Sequence, residues 1–244
     1  MAEARRGFVP ADEKEFNKKS VILLRKAQKD LLYLLEQGYP IKNASTFVGN
    51  HYMLSERQRL AITRATAERS ILKRRQEKRL SKETLGKRVL IDGLNIIISL
   101  EVALSDGTLI RCMDDCIRDL AGLRGTYRLI DHTDTAVRLI GDRLKALRTE
   151  EVIFYLDAPV SNTGRLKQRI LELLAPYPFA VKAELVNNAD VLLEKSGNVI
   201  TGDAIVLNRC GSWYNLVEEI ITEHFQNLHY VDLSRPCIEK SSFT

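Results

Sequence analysis

The first third of the chain places apolar residues at intervals of three and four, which is the spacing of an amphipathic helix. The pattern runs from Glu13 to Gln37. Its apolar positions are Phe16, Leu23, Leu24, Ala27, Leu31, Leu34 and Leu35. Gly38 and Pro40 follow and are typical helix-ending residues. The sequence therefore predicts one long helix here, which is equally suited to a helical bundle or to a homodimer.

Two more helices are expected before position 85. A short one should follow Pro40. A third should begin at Ser55, because Ser55 and Gln58 have the spacing of a capping box, and it should continue without a breaker to about Leu80. Its end, "LKRRQEKRLSK", is too polar to bury and is expected to project as a basic lever. Residues 1–85 are thus predicted to form a small, basic, all-α domain.

From Arg88 onward the pattern changes to short apolar strands separated by helices. The predicted strands are "VLID", "VIFYLD", "AVKAELV" and "NVITGD", with "LHYVDL" as a fifth candidate. The predicted helices lie near 114–124, 134–148, 162–174, 189–195 and 213–225. This alternation predicts an α/β domain over residues 86–244, with a mainly parallel sheet covered by helices on both faces. In such a sheet the functional crevice lies beyond the carboxyl ends of the strands.

Charge is distributed unevenly along the 244 residues, whose net charge is +5. Residues 55–88 carry 12 Lys/Arg against 4 Asp/Glu, whereas residues 89–244 carry 16 against 22. A basic arm on an acidic body suits a protein that grips a polyanion, although a solvated helix face would give the same pattern. If the arm grips nucleic acid, Arg74, Arg75, Lys78 and Arg79 are the expected phosphate contacts.

The sequence also indicates the cellular location of the protein and the chemical state of its cysteines. No run approaches the roughly 18 apolar residues of a membrane span, and the N-terminus lacks the apolar core of a signal peptide, so we expect a cytoplasmic protein without membrane contact. Cys112 and Cys116 form a single C-x3-C pair, and Cys210 and Cys237 stand alone. Because zinc sites show paired spacings, reduced and mostly buried thiols are the expected state.

Three predicted strands end in an aspartate. Asp92, Asp157 and Asp203 should therefore reach the same edge of the sheet, and Asp190 opens the helix after the third strand, with Glu194 one turn later. A single aspartate at such a place is usually a helix cap. Four converging carboxylates repel one another, and a divalent cation relieves this repulsion. The set therefore predicts a Mg²⁺ or Mn²⁺ site that activates water for phosphodiester cleavage.

Other polar residues are expected to assist this site. Asn95 can orient a metal-bound water or a carboxylate. Arg118 shares a predicted helical face with Asp115 and Asp119, where it binds phosphate or closes ion pairs with its neighbours. In the loop after the second strand, "DAPVSNTGR", Ser161 is expected to cap the next helix and Arg165 to lie in its first turn. A helix start of this kind binds anions or is simply capped.

Four segments together resemble PIN-like nucleases, particularly the NYN branch. They are "IDGLN", "FYLDA", "NNADVLLE" and "VITGD", which occur in the family's order within residues 88–232. The resemblance implies a three-layer α/β/α sandwich and a metal-dependent nuclease, with RNA as the expected substrate. It gives site roles to Asp92, Asn95, Asp157, Asp190, Glu194 and Asp203. The whole chain also resembles an uncharacterised, mainly archaeal family with a helical domain before a PIN-like domain.

Several other function classes are disfavoured. A haloacid-dehalogenase-type enzyme needs an acid two residues after its strand-end aspartate, but Leu94 and Pro159 occupy those places. Nucleotide-binding glycine loops and the G-x-S-x-G elbow of serine hydrolases do not occur. The alternative to a nuclease is a non-catalytic PIN-like protein that binds RNA or acts as a scaffold. Such a protein has no reason to direct four aspartates into one solvent-accessible cavity.

Overall fold

A computed structural model of the protein describes residues 4–122, 125–225, 228 and 230–236. Its N-terminal part is helical, as expected. The helices are α1 (Asp12–Glu15), α2 (Lys18–Glu36), α3 (Ile41–His51), α4 (Glu56–Ala65) and α5 (Arg69–Glu77). The capping box at the start of α4 is confirmed, since Ser55 Oγ accepts from Gln58 N and the Gln58 side chain accepts from Ser55 N. Within the described part of the chain, no helix is both long and apolar enough to cross a membrane.

Two of the expected helices are each divided. The first breaks before α2, where the Asn17 side chain accepts from Ser20 N and caps a new helix. The prediction of one continuous helix from Ser55 to Leu80 is wrong. Thr66 has an extended backbone at φ −107° and ψ 134°, so α4 ends there and α5 begins separately at Arg69. β-branched residues favour such extended conformations, which the apolar spacing alone did not reveal.

Among the residues that the structure describes, the main sheet contains five strands, all paired in parallel. In chain order these are β1 (Arg88–Asp92), β4 (Glu151–Asp157), β5 (Ala180–Val186), β6 (Val199–Ile200) and β7 (Trp213–Tyr214). Their order across the sheet is β5-β4-β1-β6-β7. The mainly parallel α/β architecture is therefore confirmed, with β1 in the centre.

The main sheet packs apolar residues on both faces. Successive strand residues point to opposite faces. On β1, Val89 and Ile91 belong to one buried cluster with helices α6 (Gly93–Leu104), α7 (Asp131–Ala146), α8 (Thr163–Leu174) and α11 (Leu216–His224). Leu90 packs against a second cluster that includes residues of α9 (Ala189–Leu193) and α10 (Ala204–Arg209). The helices expected near 134–148, 162–174, 189–195 and 213–225 are thereby confirmed, with small shifts of their ends.

A second, smaller sheet lies between the helical part and the main sheet. It contains β2 (Leu109–Arg111), β3 (Ile117–Asp119) and β8 (Tyr230–Asp232) in the order β3-β2-β8. The helix expected over 114–124 is wrong: Asp115 forms a turn at φ 61° and β3 follows, while 123–124 lie outside the described residues. The candidate strand "LHYVDL" contains β8, but β8 joins this small sheet, and β7 is the fifth strand of the main sheet.

The helical part shares its apolar core with the small sheet. Ile110 and Val231 are buried together with residues of α2, α3 and α4. A buried polar contact supports this packing, because Gln28 Nε2 of α2 donates to Leu233 O at 2.8 Å. Helix α5 also packs on the α/β part, where Trp213 Nε1 donates to Arg75 O at 2.7 Å. The expected basic lever is therefore docked rather than projecting.

Candidate functional site

One cavity at the carboxyl edge of the main sheet is lined by all four of the predicted aspartates. Asp92 and Asp157 end β1 and β4, Asp203 caps α10 after β6, and Asp190 lies in α9. The cavity has a volume of about 340 Å³. Parallel strands bring their carboxyl ends to one edge, and for this reason residues from separate strands meet there.

Asp92 and Asn95 connect the first strand to the loop after β6. Asp92 Oδ1 accepts from Asn95 N at 3.4 Å, and its Oδ2 accepts from Thr201 Oγ1 at 2.8 Å. The Asn95 side chain also lines the cavity, and its Oδ1 accepts from Gly202 N at 2.7 Å. Asn95 therefore holds the loop that carries Asp203, a role that its position in "DGLN" did not reveal.

The other three carboxylates differ in how firmly they are held. Asp157 Oδ1 accepts from Ala189 N at 2.8 Å. Asp203 Oδ1 accepts from Ile205 N at 2.7 Å and from the next backbone N–H of α10 at 3.2 Å. The Asp190 carboxylate accepts no hydrogen bond from any residue that the structure describes. Each of these three side chains thus keeps at least one oxygen available for a ligand.

Burial and neighbouring charges raise the pKa values of two of the four carboxylates. Burial raises the pKa of Asp92 to about 7, and the charges of Asp190 and Asp203 add to this effect, while hydrogen bonds from Thr201 and Asn95 oppose it. Burial likewise raises the pKa of Asp190 to about 6, with further contributions from Asp203, Asp157 and Glu194. Burial is therefore the larger cause of both raised pKa values, and repulsion between the carboxylates adds to it.

A hard divalent cation fits this donor set in its chemistry. The cavity offers carboxylate oxygens, which Mg²⁺ and Mn²⁺ prefer. Among the described residues, no three Asp, Glu, His or Cys side chains are grouped closely enough to hold a metal ion together. Magnesium usually binds through one or two carboxylates and keeps several waters, so the arrangement suits binding that is partly mediated by water.

Glycine at position 93 allows the sheet and α6 to approach closely beside the aspartates. A Cβ atom at Gly93 would lie 2.6 Å from Leu156 Cδ2 and 3.0 Å from Tyr155 O. A side chain there would push the Leu156 side chain aside and press on the β4 backbone at Tyr155. The glycine of "IDGLN" therefore serves the packing that holds Asp92 in place.

Arg118 lines the cavity but is already occupied by protein partners. Its Nε donates to Gly202 O at 2.7 Å, and its two Nη atoms donate to the carboxylate of Asp114 at 2.9 and 2.6 Å. It lies on β3 with 8% exposure, so the expected helical face shared with Asp115 and Asp119 does not form. The sequence left phosphate binding and ion pairing open for Arg118, and in the structure its guanidinium is ion-paired, with Asp114 as the partner.

The four basic residues that were expected to bind nucleic acid differ in their exposure and in their contacts. Only Arg74 is exposed. Arg75 is 5% exposed and donates to Asp114 Oδ2 at 2.5 Å, which corrects the prediction that this helix end is too polar to bury. Lys78 Nζ donates to three backbone carbonyls at the end of α10, at 2.9 to 3.1 Å. Arg79 lies 3.8 Å from a carboxylate oxygen of Glu218.

Three other predicted site residues lie outside the cavity lining. Glu194 forms an ion pair with Arg209, whose Nη1 lies 2.9 Å from both carboxylate oxygens, although the charge of Glu194 still acts on Asp190. Ser161 and Arg165 are exposed. Ser161 does not cap α8. The N-cap position of that helix is occupied by Asn162, which has a left-handed backbone conformation.

The cysteines behave as expected where they are described. Cys112, Cys116 and Cys210 are buried free thiols, whereas Cys237 lies outside the described residues. Burial raises the pKa of Cys112 to about 11, so its thiol stays protonated at neutral pH. These thiols are packing residues of the core.

The cavity also contains residues that the sequence did not single out. They are Arg64 from α4, Ser99 from α6 and apolar side chains such as Leu94 and Ile98. Arg64 and Arg57 of the same helix are both partly buried, and no local signal in the sequence marked either of them. The presence of Arg64 in the cavity depends on how the helical part packs against the main sheet.

Together these features define an α/β protein with an acidic cavity at the carboxyl edge of a parallel sheet. Residues 81–219 match the family described as "Domain of unknown function (DUF5616)", and the chain belongs to that family. Residues 23–78 match a second family, described as "Protein of unknown function (DUF434)".

One curated relative is similar over most of the chain. It is "Uncharacterized protein MJ0935" of Methanocaldococcus jannaschii, which is 34% identical over 207 residues. The match covers 84% of this chain and 98% of the relative. No solved structure gives a significant match to this protein. The expected family, with a helical N-terminal part and an archaeal relative, is thus confirmed at this level.

Proposed function

We propose that the protein is a PIN-like, Mg²⁺- or Mn²⁺-dependent nuclease that hydrolyses phosphodiester bonds, with RNA as its substrate. The observation that carries this proposal is the convergence of Asp92, Asp157, Asp190 and Asp203 on one cavity. Four carboxylates in one cavity cost free energy in a metal-free protein, since burial and the charges of the neighbouring acids both raise the pKa values of Asp92 and Asp190. A protein that only binds RNA gains nothing from this arrangement.

The four aspartates would hold the ion directly or through water. A bound divalent ion supplies activation of a water molecule and neutralises charge on the phosphodiester. Asp92 is held by Thr201, and Asp157 by Ala189 N, so both keep a defined position at their strand ends. Asp190 is the carboxylate with most freedom to change partners during the reaction.

Asn95 acts in this proposal by holding neighbouring residues of the site in place. Its side chain bonds Gly202 N and fixes the loop before Asp203, while its own N–H reaches Asp92. The residue thus sets the separation between the first and the last aspartate of the site. Glu194 contributes through its negative charge near Asp190, since Arg209 occupies its carboxylate oxygens.

The test is cleavage of labelled RNA and DNA oligonucleotides by the purified protein with Mn²⁺, with Mg²⁺ and with a chelator. Asp190→Asn removes a charge and nearly preserves shape. It should lower the cleavage rate by about 100-fold or more, since even residues that only orient metal ligands typically contribute 10- to 100-fold. Asp106→Asn is the matched control, because Asp106 is an exposed carboxylate outside the cavity.

Three results would argue against the proposal. Cleavage that survives Asp190→Asn, or that continues with the chelator present, contradicts a metal-dependent mechanism through this cavity. RNA that is bound but never cut by the wild-type protein supports the scaffold alternative. Unchanged melting temperatures of both variants are needed to attribute the loss to chemistry.

A further inference from the structure

Arg64 brings a positive charge from the helical part of the protein into the acidic cavity. It lies in the last turn of α4, and its side chain is 35% exposed. The same cavity is lined by the four aspartates, which come from the α/β part. Arg64 and the aspartates therefore belong to separate parts of the sequence, matched by two different families.

The guanidinium of Arg64 is only partly used by the protein. Its Nη1 donates to Asp119 O and lies 3.6 Å from Asp119 Oδ1. That carboxylate already accepts from Ser99 Oγ at 3.0 Å and from Ala121 N at 2.8 Å. Nε and Nη2 of Arg64 donate to no described residue, and no described ion pair joins Arg64 to the four aspartates. Two donor positions of the guanidinium therefore remain for a ligand.

Hydrogen bonds from Arg118 fix the position of Arg64 relative to the four aspartates. Arg118 Nη1 donates to Arg64 O at 3.2 Å, and Arg118 Nε donates to Gly202 O at 2.7 Å. One buried guanidinium thus ties the end of α4 to the residue before Asp203. Asp114 fixes that guanidinium through both of its carboxylate oxygens. The position of Arg64 at the cavity is consequently fixed by hydrogen bonds of the fold.

We propose that Arg64 binds a non-bridging oxygen of the substrate phosphate, so that the helical part completes the active site. This inference rests on the proposed nuclease function and deepens it. A phosphate that enters a cavity with four carboxylates is repelled unless cations compensate. An arginine offers planar, paired N–H donors that match a phosphate group. The cavity, at about 340 Å³, is of a size suited to a small ligand group.

The experiment measures binding of a labelled single-stranded RNA to the full-length protein carrying Asp190→Asn, with Mg²⁺ at several salt concentrations. Adding Arg64→Gln should weaken binding about tenfold, as expected for loss of a hydrogen bond to a charged group. The slope of log affinity against log salt should become shallower by about 0.7, the value for one lost phosphate contact on a single strand.

Two further variants separate binding from structure. Arg64→Lys keeps the positive charge, so its salt slope should match that of the parent while its affinity falls less than for Arg64→Gln. Arg69→Gln also removes one arginine, from an exposed pair with Glu36 outside the cavity, and should leave affinity and slope unchanged. If Arg64→Gln lowers the melting temperature of the protein, the affinity of Arg64→Lys is compared with that of Arg69→Gln instead. A lower affinity of Arg64→Lys then supports the contact, and equal affinities overturn it.

The outcomes distinguish this inference from the function on which it rests. Equal affinities for Arg64→Gln and Arg69→Gln overturn the role of Arg64, even if the wild-type protein cleaves RNA. Binding that depends on Arg64 in a protein that never cleaves overturns the nuclease function and supports the phosphate contact. A wild-type protein that binds neither RNA nor DNA overturns both.

Discussion

Asp114 is a buried carboxylate held between two arginines, and its removal should destabilise the protein strongly. Arg75 of α5 and Arg118 of β3 both pair with it, at 2.5 and 2.6 Å. The Asp114 side chain is 2% exposed. The substitution Asp114→Asn removes the charge and leaves two buried guanidinium groups without their counter-ion. The expected loss is about 3–5 kcal/mol, the usual cost of breaking a buried ion pair from one side.

The pKa of Asp114 gives a second measure of the same interaction. Burial alone would raise this pKa, but Arg118 and Arg75 outweigh it and hold the pKa at about 2, against an ordinary value of 3.8. The difference corresponds to about 2–3 kcal/mol of stability at neutral pH. Because the folded-state pKa is the lower one, this stability is present above pH 4 and is lost as the pH falls towards 2. At pH 3 roughly half should remain.

Urea denaturation followed by tryptophan fluorescence can test this prediction. Trp213 is the only tryptophan, is fully buried and donates to the backbone oxygen of Arg75, so its fluorescence reports on the packing of α5. Asp106→Asn is the control, since Asp106 is 83% exposed and a surface pair typically contributes below about 1 kcal/mol. An Asp114→Asn protein as stable as the control at pH 7, or a gap that does not narrow by pH 3, would refute the reasoning.

Two further predictions concern the acidic site. Gly93→Ala should destabilise the protein by about 1–3 kcal/mol, the usual cost of overpacking, because the new Cβ would meet Leu156 and Tyr155 O; an unchanged urea midpoint would contradict this. Adding Mn²⁺ should raise the melting temperature of the wild-type protein, by the equivalent of about 2–3 kcal/mol at 100 times the dissociation constant. Asp203→Asn should show a smaller rise, and equal shifts would argue against cation binding by these aspartates.

The sequence by itself determined the helices and strands with strong periodic patterns. Helix α2 and strand β4 were predictable because burial of one helix stripe, or of most of a parallel strand, requires apolar residues at regular places. The breaks at Asn17 and Thr66 were not predicted, although Asn17 is a typical capping residue. A cap or a β-branched residue interrupts a helix only when tertiary packing favours the turn.

The short strands could be assigned only from the tertiary structure. Strands β2, β3 and β8 have three residues each, too few for a periodic pattern to appear. Their pairing joins Leu109 to Tyr230, two positions far apart in the chain. Likewise β7 has two residues and adjoins a segment whose spacing indicates a helix. Such pairing depends on distant partners, and a local pattern cannot reveal it.

The acidic half of the site followed from sequence, since strand direction alone brings the residues at Asp92, Asp157 and Asp203 to one edge of a parallel sheet. The positions of the arginines around the site could not be predicted in this way. Whether an arginine is a surface charge or a cavity residue depends on what packs against it, and Arg75 and Arg64 have the same local appearance in basic helices. Docking of the helical part, fixed by a shared apolar core and buried ion pairs, decides that Arg75 is enclosed and that Arg64 faces the aspartates.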